Sequence, residues 1–412
     1  MNNKQYLVGL DVGTTKVCSL IGTYDSKGDL DIIGIGSHPS EGLKKGSVVN
    51  IEKTIRSIRA SVEEAKMMSG VDIKKACVGI AGNHIYSFNS TGVVAIKNSE
   101  ITQSDVDRVI EAAKAVVIPS DREILHVIPR EFRVDNTRGI KNPIGMCGVR
   151  LEVHVHIVTG MTPLIQNLLK CVGEAGIRPD GIILQPIASS KSVLSEEERD
   201  LGVVLVDIGG GTTDIAVWKE GSLIHSHIIP IGGNHFTNDL AVALKVPHKE
   251  AERVKTNHGS VLAEMINQST KISVQGIAGT KSRDVPASII AKVLGARGDE
   301  LFNIIRDILE EKELMDEVTG GVVLTGGGAL IAGLPELAEY ILQLPVKIGN
   351  PQSFGGMTSV IKDPRFSTVL GLLMEDAEKS KDLTEDEIHI ENSSDIVSRL
   401  GDSLRNVFKE IF

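Results

Sequence analysis

The stretch that decides the fold is LVDIGGGTTDIAV, residues 205–217. A run of β-forming residues ends at Asp207, a turn of glycine and threonine follows, and a second β-forming run begins at Asp214. This order predicts a tight β-hairpin. A related segment, LVGLDVGTT at residues 7–15, leads into KVCSLI at residues 16–21. The hairpin therefore occurs twice, and we predict a duplicated α/β fold.

A third glycine turn lies near the carboxyl end of the chain. It is part of VVLTGGGA, residues 322–329, and it follows another apolar run that reads as a buried strand. The residues after it, 330–340, are expected to form a helix. Between the first two hairpins, apolar residues at helical spacing predict a helix over residues 51–68.

Composition shifts along the chain divide it into units. We expect two duplicated α/β halves, each of which carries an inserted subdomain. The expected units are a first half (1–82 and 160–195) with its insertion (83–159), a second half (196–231 and 313–374) with its insertion (232–312), an acidic linker (375–392) and an amphipathic membrane-binding helix (393–412).

Charge and composition exclude several classes of function. The 412 residues carry a net charge of −10 and only 3% aromatic side chains, whereas nucleic-acid binding needs a basic surface. The apolar run Tyr6–Leu10 is too short for a signal peptide. The cysteines form no CxxC pair, so they fit a reducing compartment and are expected to be buried; they are Cys18, Cys77, Cys147 and Cys171.

The glycine turns have the chemistry of a phosphate site. Glycine lets backbone N–H groups converge on phosphate oxygens, and threonine adds hydroxyl donors. Two opposed hairpins would hold a phosphate chain from both sides, while Asp11 and Asp207 hold Mg²⁺ through its waters. The sequence contains neither a P-loop motif nor GxGxxG. The expected phosphate-binding residues are Asp11, Gly13, Thr14, Thr15, Lys16, Gly209, Gly210, Gly211, Thr212 and Thr213.

Two histidine patterns leave an alternative open. Glu152, His154 and His156 alternate along one strand, as do His225 and His227. Such spacing is compatible with metal ligands, but a polar sheet face is the favoured interpretation because a fourth ligand is not evident.

The three turns together resemble those of the actin, Hsp70 and sugar-kinase ATPase superfamily. The resemblance implies an α/β, actin-like ATPase fold, in which two duplicated RNase H-like halves enclose a nucleotide cleft that binds ATP with Mg²⁺. The resemblance implies that Gln185 orients the attacking water and that Asp207 is its companion carboxylate. It places Glu252 and Lys255 beside ribose and adenine, with Gly233 and Asn234 approaching the nucleotide. The implied adenosine loop is Gly326, Gly327 and Gly328.

Within that superfamily the chain is similar to the FtsA family of bacterial cell-division proteins over nearly its whole length. The matching segments are residues 9–17, 207–216, 323–328 and 368–372. The resemblance implies a polymer that anchors the ring of the tubulin-like division GTPase to the inner face of the cytoplasmic membrane, with other division proteins as partners. It also implies that Arg297 and Glu300 receive the GTPase's C-terminal tail. Gln185 departs from the residue type expected there, so the rate of hydrolysis stays open.

The C-terminal segment has a distinct apolar face. At about 100° per residue, its apolar side chains fall within one arc of about 160° and its charged side chains fall outside it. Three basic and three acidic residues balance each other, so apolar insertion would dominate membrane binding. The alternative is that this helix packs on the protein's own core. The apolar residues are Ile396, Val397, Leu400, Leu404, Val407, Phe408, Ile411 and Phe412.

Other functions fit parts of the pattern. A small-molecule kinase needs a catalytic base and a substrate pocket in the cleft, and an Hsp70-type chaperone needs a substrate domain after the ATPase core. An actin-like scaffold of another membrane machine, such as one for pilus assembly, is the third alternative.

Overall fold

The computed structural model describes residues 6–25, 28–98, 100–267, 269–277, 281–352, 355–356 and 361–378. Most of the predicted acidic linker and all of the predicted membrane helix lie outside these residues. The strands are β1 (Tyr6–Val12), β2 (Lys16–Tyr24), β3 (Leu30–Pro39), β4 (Leu43–Lys44), β5 (Ser47–Val48), β6 (Lys75–Ile80), β7 (Ile85–Ala95), β8 (Arg122–Val134), β9 (Thr137–Ile140), β10 (Arg150–Met161), β11 (Arg178–Leu184), β12 (Val203–Ile208), β13 (Thr213–Lys219), β14 (Ser222–Ile229), β15 (Lys271–Val274), β16 (Arg283–Pro286), β17 (Val322–Thr325), β18 (Val346–Ile348) and β19 (Gly355–Gly356).

The helices connect and cover these strands. They are α1 (Ile51–Ser69), α2 (Gln103–Lys114), α3 (Thr162–Glu174), α4 (Gln185–Val193), α5 (Glu196–Leu201), α6 (Gly233–Leu244), α7 (His248–His258), α8 (Ala287–Glu311) and α9 (Leu334–Leu342), followed by α10 (367–378).

Two sheets of the same topology confirm the predicted duplication. The first has the order β11-β6-β1-β2-β3-β19 and the second has the order β14-β13-β12-β17-β18. In each sheet the leading strand, β1 or β12, pairs antiparallel with the strand after it and parallel with a later one. Both leading strands are almost wholly buried and apolar, as expected for central strands covered on two faces.

Helix α1 shows how the first sheet is covered. Asn50 caps its N-terminus by accepting a hydrogen bond from the N–H of Lys53, and Gly70 ends it in a left-handed conformation. Ile55, Ile58 and Val62 recur at helical spacing on its buried face and pack against the sheet. Burial of this apolar face fixes the helix on the first half.

The segment between β6 and α3 forms a separate sheet of order β7-β10-β8-β9, against which α2 packs. It also contacts the second half. The Ser87 hydroxyl donates to the Ser226 carbonyl (2.7 Å) at the edge strand β14, and the His156 Nε2 lies 2.9 Å from the Ser226 Oγ. The inserted sheet therefore covers the edge of the second sheet formed by β14, which solvent would otherwise reach.

The C-terminal part of the chain corrects two expected boundaries. Residues 355–374 were assigned to the second half, but β19 pairs with β3 and α10 packs Val369, Leu370 and Leu373 against the first sheet. The acidic linker was expected to begin at residue 375. Instead α10 continues to residue 378, because Asp376 is buried and accepts a hydrogen bond from the N–H of Val8 (3.0 Å).

Smaller differences concern single elements. The helix expected at residues 330–340 begins four residues later, as α9, because a 3-10 turn occupies Gly327–Leu330. Cys147 is exposed, whereas the other three cysteines are buried. Within the described residues, none of the helices combines the length and apolarity that a membrane span requires.

Candidate functional site

The two hairpin turns meet at one cavity of about 710 Å³. Each turn is closed by a backbone hydrogen bond of 3.0 Å, from Gly13 to Lys16 in the first half and from Gly209 to Thr212 in the second. The turns are in contact: a Cβ added to Gly210 would lie 1.7 Å from the Thr15 Oγ1. Glycine is favoured at this position because the Thr15 side chain of the first half lies directly against its backbone.

Asp11 stands at the end of β1 and faces this cavity. Gln185 is the first residue of α4. Its side-chain Nε2 donates a hydrogen bond to the Asp11 Oδ1 (2.8 Å). Burial raises the pKa of Asp11 to about 6, with the nearby Asp207 adding to the rise and Lys16 opposing it. The resemblance implies that Gln185 orients water, and in the structure its side-chain amide also contacts this carboxylate.

Asp207 occupies the equivalent position at the end of β12. Its Oδ2 accepts hydrogen bonds from the Ser189 hydroxyl on α4 and from the Thr368 hydroxyl on α10 (3.1 Å). Burial raises the pKa of Asp207, and the two hydroxyl donors and Lys16 act against that rise. Both supporting hydroxyls were missed from the sequence.

A third carboxylate, Asp214, was also missed. The hairpin register places it directly opposite Asp207, and it lines the same cavity. Burial, with Asp207 and Asp11 close by, raises the pKa of Asp214 well above its ordinary value, and its Oδ1 has no hydrogen-bond partner among the described residues. Counting outward from the turn of the predicted hairpin would have found it.

These three carboxylates fit a hydrated divalent cation. They are 8%, 5% and 3% exposed for Asp11, Asp207 and Asp214, and buried negative charges are costly unless a cation compensates them. The part of the chain that the structure describes contains no group of three or more side chains arranged as direct metal ligands. Buried carboxylates of this kind could hold a cation through its waters, which is the coordination that Mg²⁺ prefers.

Lys16 lies at the start of β2, on the cavity wall. Its ammonium donates to the Arg365 carbonyl and lies 4.2 Å from the centre of the Phe366 ring. The segment before α10 thus holds the side chain that the sequence expected beside the phosphates.

The start of α6 supports the second turn. Its Gly233 and Asn234 amides donate to the carbonyls of Gly209 (2.8 Å) and Gly210 (2.9 Å). From α7, the buried Lys255 ammonium donates to the Gly233 carbonyl (3.1 Å) and pairs with Glu252 (2.8 Å). The predicted Glu252 and Lys255 therefore lie on the cavity wall and are linked to the turn.

Most residues expected from the sequence line this one cavity, and Thr213 differs. Its hydroxyl donates to the Ile231 carbonyl (2.8 Å) and the residue is fully buried in β13, so it does not line the cavity. The expected residues that do line it are Asp11, Gly13, Thr14, Thr15, Lys16, Gln185, Asp207, Gly209, Gly210, Gly211, Thr212, Gly233, Asn234, Glu252, Lys255, Gly326, Gly327 and Gly328.

The expected partner residues lie on α8. Arg297 forms a two-pronged contact with Asp239 of α6, at 2.6 and 3.1 Å, and also pairs with Glu300. The guanidinium is thus bound to acidic groups of the chain itself, and an acidic peptide would have to compete with Asp239.

The first histidine pattern has ordinary hydrogen-bond and ion-pair partners, whereas the buried His225 Nε2 of the second has no hydrogen-bond partner among the described residues. The His156 Nδ1 lies 2.8 Å from the Asn89 Oδ1, and Glu152 contacts His154 and two arginines. His225 and His227 stack at 6.2 Å. Among the described residues these side chains do not form a group of three or more metal-ligand types.

Two family models match the chain. "Cell division protein FtsA" matches residues 204–371, and "SHS2 domain inserted in FTSA" matches residues 82–159. Cell division protein FtsA of Pseudomonas aeruginosa is 46% identical over 376 residues, which are 91% of this chain and 90% of that protein. The chain belongs to the FtsA family of cell-division proteins.

Solved structures with a similar backbone identify the fold of this family member. In the PilM-PilN type IV pilus biogenesis complex, a chain superposes with a TM-score of 0.67 at 16% identity, covering 90% of this chain and 98% of that one. MreB5 of Spiroplasma citri bound to ADP superposes with a TM-score of 0.55 at 19% identity, covering 93% and 98%. The fold is that of the actin-like ATPases.

Proposed function

We propose that this FtsA-family protein binds ATP with Mg²⁺ between its two halves, polymerises, and anchors the ring of the tubulin-like division GTPase to the inner face of the cytoplasmic membrane. The observation that carries the nucleotide site is the contact of Gly210 with Thr15 at one cavity. A phosphate chain there would meet turn amides from both halves. MreB5 of Spiroplasma citri, which has a similar fold, is bound to ADP.

The residues divide the work of binding. The turn amides and threonine hydroxyls of both hairpins would bind phosphate oxygens. Asp11, Asp207 and Asp214 would hold Mg²⁺ through water, and the ion would offset negative charge on the phosphates. Glu252, Lys255 and the Gly326–Gly328 turn would bind the adenosine end. Gln185 is proposed to orient water for any hydrolysis, together with Asp207.

ATP would favour the closed arrangement of the halves, because a triphosphate contacts both hairpins and a diphosphate loses part of those contacts. We propose that this closed state is the one that assembles. Electron microscopy on lipid monolayers tests the proposal: membrane-attached filaments should form with ATP and the C-terminal segment present. Filaments that need neither ATP nor that segment would contradict it.

The membrane anchor is proposed to be residues 393–412, which lie outside the described part of the chain. Leu404→Asp places a charge in the middle of the apolar arc and should abolish co-sedimentation with liposomes. Asn406→Asp adds the same charge outside the arc and is the matched control. Equal pelleting of the two variants would remove the anchor from the proposal.

The tail of the division GTPase is proposed to bind at Arg297 and Glu300. Arg297→Glu should abolish binding of a tail peptide, because it reverses the charge that would attract the peptide and repels Asp239. Arg306→Glu is the control, since Arg306 also lies on α8 and pairs only with its neighbours Asp307 and Glu310 among the described residues. Unchanged affinity of the Arg297 variant would refute this contact.

A further inference from the structure

Helix α4 contacts the leading carboxylates of both halves. Its first residue, Gln185, donates to the Asp11 Oδ1 (2.8 Å), and Ser189, four residues later, donates to the Asp207 Oδ2. Residues four apart lie on the same face of a helix. One turn of α4 therefore contacts Asp11 of the first sheet and Asp207 of the second.

The Ser189 hydroxyl is not alone at Asp207. The Thr368 Oγ1 from α10 donates to the same Oδ2 (3.1 Å), and the two hydroxyl oxygens lie 3.1 Å apart. Ser189 is fully buried, and Asp207 is 5% exposed. Because the contacts come from two different helices, the carboxylate cannot rotate without breaking one of them.

Asp207 is also confined on its other oxygen. The Gly326 turn approaches so closely that a Cβ added there would lie 2.3 Å from the Asp207 Oδ1. The carboxylate is thus fixed between a hydroxyl pair on one side and a backbone turn on the other. Side chains fixed in this way are what a cation site needs, since the position of its ligands must not be reorganised on binding.

We propose that Ser189 and Thr368 are positioning residues that set the Asp207 carboxylate for a hydrated divalent cation, so that one face of α4 aligns the cation-facing groups of both halves. This inference rests on the proposed binding of magnesium ATP. It specifies the residues through which the affinity for ATP depends on Mg²⁺. Neither hydroxyl is assigned to the nucleotide itself.

The test separates the cation from the nucleotide. Titration calorimetry measures the affinity for ATP in the presence of Mg²⁺ and in EDTA, and the ratio of the two affinities is the magnesium enhancement. Ser189→Ala and Thr368→Val should each lower that ratio about tenfold and leave the affinity in EDTA within about twofold. Thr368→Ser retains the hydroxyl and should keep the ratio at the wild-type value.

Ser190→Ala is the matched control. Ser190 is a buried hydroxyl on the same helix, but it donates to the Pro186 carbonyl (2.6 Å) and accepts from the Trp218 indole (2.8 Å). It should lower the thermal midpoint as much as Ser189→Ala does and leave the magnesium enhancement unchanged. An equal loss of enhancement in Ser190→Ala would show a purely structural effect and overturn the inference.

Two further outcomes are distinguishable. If the wild-type protein binds ATP with a magnesium enhancement that Ser189→Ala and Thr368→Val both retain, the positioning inference is wrong and the proposed function stands. If the wild-type protein binds no ATP under either condition, the proposed function is wrong and the inference falls with it. If one of the two variants does not fold, the other gives the same reading.

Discussion

The two hairpins have the same backbone arrangement but carry different charged residues. In the first, the residue opposite Asp11 is Cys18 and the turn leads into Lys16; in the second, the residue opposite Asp207 is Asp214. The first half therefore adds a cation to the cavity and the second adds a carboxylate. The first hairpin thus carries a positive charge beside its turn, whereas the second places two carboxylates opposite each other on the cavity wall.

Their supports differ as well. The second turn is held by the amides of α6 and, through Gly233, by Lys255 of α7. The first turn is contacted by the small β4–β5 hairpin, where the Gly46 N–H donates to the Thr14 hydroxyl (3.0 Å). The Ser40 N–H also donates to the Thr15 carbonyl (2.9 Å), so the first turn is held by the segment after β3 and the second by helices.

The largest effect is expected from adding a side-chain atom at the point where the two turns touch. Gly210→Ala puts a methyl group 1.7 Å from the Thr15 Oγ1 and 2.9 Å from its Cβ, so the Thr15 side chain or one of the turns must shift. We expect the affinity for magnesium ATP, measured by calorimetry, to fall at least about 100-fold. Gly173→Ala, in α3, meets no atom within 4 Å and should leave the affinity unchanged. An unaltered affinity of the Gly210 variant would show that the turns do not act jointly.

The buried carboxylate of the first half should make stability depend on pH. The folded pKa of Asp11 is about 6 against 3.8 for the free group, so its protonated form is favoured by folding. This stabilisation is fully present below pH ~4 and is lost as the pH rises through 6, a change of about 3 kcal/mol.

Urea unfolding of the nucleotide-free protein between pH 4.5 and 7.5 measures that change. Asp11→Asn has no proton to lose at this position, so its free energy of unfolding should fall less over the interval than that of the wild-type protein. Parallel curves for the two proteins would contradict the raised pKa.

Loosening the support of the second turn should have a smaller effect. Lys255→Met removes the ammonium that contacts the Gly233 carbonyl and Glu252. We expect a loss of affinity for magnesium ATP of roughly tenfold, because the buried ammonium no longer contacts the Gly233 carbonyl and the turn is released. Lys249→Met, at an exposed position of the same helix, should stay within about twofold. Equal affinities for the two variants would show that Lys255 does not contribute to nucleotide binding.

The smallest effect concerns two adjacent threonines. Thr212 lines the cavity, whereas the Thr213 hydroxyl donates to the Ile231 carbonyl. Thr213→Val should lower the free energy of unfolding by about 1 kcal/mol and leave nucleotide affinity unchanged. Thr212→Val should weaken binding several-fold. If calorimetry showed weaker nucleotide binding for Thr213→Val and unchanged binding for Thr212→Val, Thr213 rather than Thr212 would contact the nucleotide.

The turns and the duplicated sheets were predictable because their signals are local. Strand, glycine turn and strand follow each other within about a dozen residues in LVDIGGGTTDIAV. Asp214 was within reach too, since hairpin register alone sets it opposite Asp207. Ser189 has a weaker signal, its spacing of four from Gln185.

The remaining contacts depend on tertiary structure. Thr368 reaches Asp207 across 161 residues of sequence, and Gln185 reaches Asp11 across 174. The boundary at residue 375 was misplaced for the same reason: the acidic composition suggested a solvated linker, but the hydrogen bond from Val8 to Asp376 keeps the helix packed on the first sheet. Composition reports average solvation and cannot identify such partners.

A crystal structure with Mg²⁺ and a non-hydrolysable ATP analogue tests the central claim most directly. We expect the phosphates to lie between Gly13–Thr15 and Gly209–Thr212 and to contact amides of both turns, with the metal facing Asp11 and Asp207. A nucleotide bound by one hairpin alone, or outside this cavity, would contradict the account.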